Sequence, residues 1–101
     1  KPSLRAAANG HLTLDLNESP DSFWRQLCQR MESIYGFRRT GSAVIGAGEQ
    51  IHQSFELPGL ALGAGWDDWS GHYLLSESDA GDTFLKKLFD DLSADKRPRS
   101  K

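Results

Sequence analysis

Residues 65–92 read GWDDWSGHYLLSESDAGDTFLKKLFDDL, and two periodicities inside this stretch decide the fold class. Leu85, Leu88, Phe89 and Leu92 recur at i, i+3, i+4 and i+7, with Phe84 one turn before Leu88, while Lys86, Lys87, Asp90 and Asp91 take the opposite side. That is the spacing of an amphipathic helix. Ser78 and Asp79 offer oxygens to the free amides of a first turn, and Asp82 places negative charge at the positive end of the helix dipole, so the helix starts between Asp79 and Asp82. Before it, His72-Tyr73-Leu74-Leu75 is an aromatic and aliphatic run bounded by Ser70-Gly71 and Ser76-Glu77-Ser78, which predicts a buried strand.

Upstream, period-two alternation dominates. His11 to Leu16 sets Leu12, Leu14 and Leu16 on one face against His11, Thr13 and Asp15, the pattern of a half-buried strand. Residues 42–46 form a short strand of small residues closed by Gly46-Ala47-Gly48. Gln50 to Leu57 sets Ile51, Phe55 and Leu57 against a polar face of His52, Ser54 and Glu56. Pro58-Gly59 marks a turn, and Leu60 to Gly65 follows as a glycine-rich strand. The second helix signal is Ser19-Pro20-Asp21, a cap, a first-turn proline and a dipole-matched acid. Its stripe of Phe23, Leu27, Met31 and Ile34, widened by Trp24, Cys28 and Tyr35, runs to Gly36. The order β-α-β-β-β-β-α, with short turns between successive strands, predicts an α+β two-layer sandwich. Its sheet is mostly antiparallel and carries both helices on one face.

Length and composition bound the rest. A chain of 101 residues with 38% hydrophobic and 26% charged residues is one ordinary globular domain. Residues 1–9 are expected to be a flexible segment, 10–93 the domain, and 94–101 a flexible basic tail. No run approaches the roughly 20 apolar residues that a bilayer crossing needs. The single cysteine, Cys28, cannot form an internal disulfide and reads as a small buried hydrophobe in a reducing, cytoplasmic setting.

The net charge of −2 hides a segregation: Lys and Arg number six against four acids in residues 1–40, two against ten in 41–95, and four against none in 96–101. An acidic body argues against a nucleic-acid surface and fits a basic partner or a plainly solvated exterior. Phosphate binding finds no support, since Gly46-x-Gly48 lacks the remaining elements of either phosphate-loop motif.

Trp66-Asp67-Asp68-Trp69 is the least ordinary tetrapeptide, two indoles flanking two carboxylates in a turn. Two readings stand open. The indoles cover the end of the core, or they anchor a partner while the carboxylates set its orientation. Asp67, Asp68, His72, His52 and Glu56 are the donors a metal site would recruit, but no recognised ligand spacing is present, so no cofactor or metal is expected. The three histidines lie on different strands without motif context.

Over residues 66–92 the chain resembles small single-domain bacterial proteins that end in a strand, a Gly-Asp or Ser-Asp turn and an amphipathic helix, among them toxin-neutralising immunity proteins. That resemblance implies an acidic, non-catalytic protein that plugs a basic toxin surface, and it carries over no individual site residue. The expected function is therefore a non-enzymatic protein-binding module acting through Trp66, Asp67, Asp68 and Trp69, with His52 and Glu56 on a second surface. The alternatives are an enzyme using His72 with Asp67 or Asp68, and a domain acting through self-association as a homodimer.

Overall fold

The computed structural model describes residues 2–16, 19–46, 49–68 and 71–95. Eight strands and two helices alternate in the order β1 (Pro2–Ala6), β2 (Leu12–Leu16), α1 (Asp21–Ser33), β3 (Arg38–Thr40), β4 (Val44–Gly46), β5 (Glu49–Ile51), β6 (Ser54–Leu57), β7 (Leu60–Asp67), β8 (Gly71–Ser76) and α2 (Asp79–Asp95). The fold is α+β. One antiparallel sheet runs β1-β2-β8-β7-β5-β4, with β6 on the remaining part of β7's edge and β3 beyond β6. No helix among the described residues is long and apolar enough to cross a membrane.

Both helices lie on the same side of the sheet. Leu14, Leu16, Phe55, Leu62, Ala64 and Leu74 point from the strands into a core that α1 fills with Trp24, Leu27, Cys28 and Met31 and α2 with Leu85, Leu88 and Leu92. Burial pushes the Cys28 thiol up to about 11, as expected for a thiol acting as a hydrophobe. The turn that follows α1 meets α2: the Tyr35 hydroxyl donates to Asp91, and the Tyr35 ring stands edge-on to Phe84.

Besides β3, expected as a connection and found paired antiparallel with β6, three features depart from the sequence expectation. Residues 2–6, expected to be flexible, form β1 and pair antiparallel with β2 from Pro2↔Leu16 to Ala6↔Leu12. The ladder needs only backbone groups there, while Leu4 packs against the core and Arg5 reaches the buried Asp15 carboxylate. With β1 outside it, β2 becomes an interior strand against β8.

The second departure is in α1, which begins one residue later than its capping pattern. Pro20 is the N-cap residue and makes no side-chain cap bond, and the helix ends at Ser33. Gly36 has φ +78°, and the Phe37 amide then donates back to the Met31 carbonyl. By contrast α2 carries the cap expected of Ser78, whose hydroxyl accepts from the Gly81 amide at 3.1 Å. Ser78→Ala should lower unfolding stability by about 1 kcal/mol in a urea titration. The helix continues past Leu92 to Asp95, and the expected basic tail, Lys96 to Lys101, lies outside the described residues.

The third departure decides what the sheet presents to solvent. Ile51 pairs with Gly65 and Phe55 with Leu62, so residues 52–54 of the outer strand span only 63–64 of β7. One extra residue is a β-bulge, and it swaps the two faces of the strand. Ile51 therefore turns away from the helices and Phe55 toward them, although alternation places them together.

Candidate functional site

The bulge corrects the polar face expected from His52, Ser54 and Glu56. Phe55 points at the helices, so its neighbours Ser54 and Glu56 point the other way, whereas His52 lies beneath the Trp24 indole of α1. Glu56 instead lines an open groove of about 290 Å³ with Gly36, Arg38, Leu57 and Pro58.

The Trp-Asp-Asp-Trp stretch is similarly divided. Trp66 stands opposite His72 in the β7–β8 register, on the helix side and half-buried. Asp67, the next residue, points to the open side and lines a cleft of about 250 Å³ with Arg5, Thr13 and Tyr73. Asp68 is exposed at the turn, and Trp69 lies outside the described residues. Asp67 and His72, expected together in a catalytic reading, thus face opposite sides of the sheet.

Two groupings replace these sets. On the helix side, His72 is buried, with its Nε2 3.0 Å from the Asp21 carboxylate and its Nδ1 3.1 Å from His52 Nε2. Trp24 stacks over both imidazoles, with centroid distances of 4.9 Å to His72 and 5.1 Å to His52. A hydrogen bond from His72 holds the Asp21 carboxyl below its usual range, while burial and then the neighbouring His72 lower the His52 imidazole. Asp21 reaches the ring because Pro20-Asp21 opens α1 directly above the start of β8.

On the open side, the register aligns Ser3, Asp15, Tyr73, Gly65, Ile51 and Val44 in one row across six strands. Its outer end is apolar: Val44 is 55% and Ile51 47% exposed, beside the half-buried Tyr73, whose ring lies over Gly65. The adjoining row sets Glu49 directly opposite Asp67. Burial first, and then Asp67, Glu49 and Asp15, push the Tyr73 hydroxyl up, so three carboxylates bear on that ring. Val44-Ile45-Gly46 is also the outer strand of this end of the sheet, and Ile45 is 79% exposed on its other side.

A third cluster is structural. His11, Asp79 and Asp82 bring ligand atoms within 4.8 Å of one another. Both Asp82 oxygens are already engaged, one by His11 Nδ1 and one by the Leu12 amide, each at 2.9 Å. These bonds hold the Asp82 carboxyl at about 2 and raise His11, so Asp82 ties the start of β2 to the first turn of α2. No family model, curated protein or solved structure matches this chain.

Proposed function

We propose that the chain is a small protein-binding module, of the kind its last third resembles, whose open sheet face receives a basic, apolar-tipped segment of another protein. The observation that supports this reading is the Tyr73-Ile51-Val44 row with Glu49 and Asp67 beside it. An aromatic ring and two aliphatic side chains supply desolvated contact area, and flanking carboxylates steer a cation to them. Opposed like charges across a strand pair are destabilising on their own, so Glu49 and Asp67 face each other at some cost to the fold. That cost is what a binding surface tolerates. The same proposal places the protein in the cytoplasm, a setting its one buried thiol suits.

Glu49→Lys provides a signed test, because it should stabilise the fold by about 0.2–1 kcal/mol while weakening partner binding. Affinity capture with wild-type, Glu49→Lys and Val44→Ser/Ile51→Ser baits reads the binding half. The expected result is a partner held by wild type and lost at least tenfold by either variant; equal retention by all three overturns the reading. A second copy as occupant would instead appear as a concentration-dependent mass in light scattering and vanish with the Val44→Ser/Ile51→Ser bait.

Catalysis is the second reading, favoured by one observation: an imidazole oriented by a carboxylate, His72 on Asp21, is the arrangement of a positioned base. Its other nitrogen meets His52 rather than a nucleophile. Among the described residues no hydroxyl or thiol is hydrogen-bonded to either ring.

A further inference from the structure

The histidine pair lies on the opposite side of the sheet from the proposed binding surface, and nothing in that surface uses it. Its geometry fixes where protons sit. A carboxylate only accepts, so His72 Nε2 carries a hydrogen toward Asp21. In neutral His72 the Nδ1 lone pair then accepts from His52 Nε2–H across 3.1 Å. The ring centroids are 5.2 Å apart with planes 26° from parallel, close to an in-plane, head-on hydrogen bond beneath the indole.

We infer that Asp21, His72 and His52 form a proton-operated latch, which fastens the first turn of α1 to the sheet and releases it when both imidazoles are protonated. One added proton leaves the chain of bonds intact, since a cationic His52 still donates to His72, which still donates to Asp21. A second proton puts hydrogens on both facing nitrogens, and two cations then confront each other. The bond that joins the rings is lost. With it goes the platform on which Trp24 stacks.

The charged groups facing the pair do not relieve this conflict. From α1 come Asp21, which favours protonation, and Arg25 close to it; from β3 comes Arg39, which opposes it and is itself held by Glu32 at 3.1 Å. Among the described residues, Asp21 is the carboxylate hydrogen-bonded to the pair, and it already accepts from His72.

The sign of the pH dependence follows. Below about 6.5 the unfolded chain binds a proton on each of these histidines, whereas the latched fold holds at most one, so stability falls as the pH falls. Each excluded proton lowers the folding equilibrium constant by about tenfold per pH unit. His11 acts in the opposite sense: Asp82 raises it, so its contribution is full below about 6.5 and is lost as the pH rises through its folded value. Comparing wild type with His52→Gln cancels His11, which both proteins share.

Histidine side-chain NMR from pH 8 to pH 4 tests the latch. The imidazole protons of His52 and His72 should be displaced upfield by the Trp24 ring and titrate in two coupled steps, keeping that displacement through the first step and losing it at the second. In His52→Gln, the His72 protons should keep their displacement to pH 4, and the extra loss of stability in acid should disappear. Independent single-step titrations with the displacement unchanged to pH 4 would overturn the inference, as would its loss in His52→Gln at the wild-type pH. Should His52→Gln not fold, the wild-type titration decides alone.

Discussion

Phe55→Ala is expected to cost the fold about 3–5 kcal/mol, and Ile51→Ala, four residues earlier on the same alternating face, less than about 1 kcal/mol. Phe55 is 1% exposed, stands edge-on to Phe37 and lies under the Arg39 guanidinium, so its removal empties a site closed on several sides. Ile51 is 47% exposed and leaves no cavity when truncated. A domain of this size holds roughly 5–15 kcal/mol in all, so the first change consumes a large part of it. Urea midpoints at an unchanged m-value measure both. Equal losses at 51 and 55 would mean that the bulge at residues 52–54 is not there.

Gly65→Ala should destabilise by about 1–3 kcal/mol, against the ordinary gain from replacing a strand glycine. A Cβ at Gly65 would sit 2.5 Å from the Tyr73 hydroxyl and 2.7 Å from the backbone carbonyl of Gln50. The phenol can swing aside. The carbonyl belongs to β5 and moves only with the strand. Adding Tyr73→Phe should therefore recover only part of the loss, and under the proposed function both proteins should bind a partner less well because Tyr73 is displaced from the apolar row. A Gly65→Ala protein as stable as wild type would contradict the close packing of Tyr73 across β7.

The elements that build the core are readable from local periodicity, and the rest depends on distant registers. The i, i+3, i+4, i+7 spacing from Leu85 to Leu92 and the alternation from Leu12 to Leu16 each report a buried face, and both faces are where the spacing puts them. β1 escapes this logic because a five-residue strand with one core side chain, Leu4, shows no alternation to detect. Asn9-Gly10 was the available signal, a turn dipeptide between two pairing segments, and Gly10 has φ +85°.

The bulge has no such mark. His52-Gln53 is an ordinary dipeptide, and the extra residue shows only in the two registers that flank it. For the same reason the Asp21–His72–His52 set was not readable, since its members lie 51 and 20 residues apart and meet through the topology. The helical spacing puts Trp24 on the stripe, where it lies, but its role as a lid over two imidazoles depends on their positions. The acidic segregation did carry information. Glu49 and Asp67, both from the acid-rich middle of the chain, end on the same face beside the exposed apolar pair.

Whether His52 faces inward and Ile51 outward decides the proposed binding surface and the proposed latch together, and a nuclear Overhauser spectrum at neutral pH reads both. That geometry requires cross-peaks from the Trp24 indole to the His52 and His72 rings, and from Ile51 to Val44, with none from Ile51 to α1. Cross-peaks from Ile51 to α1, with a His52 ring showing none to Trp24, would contradict it.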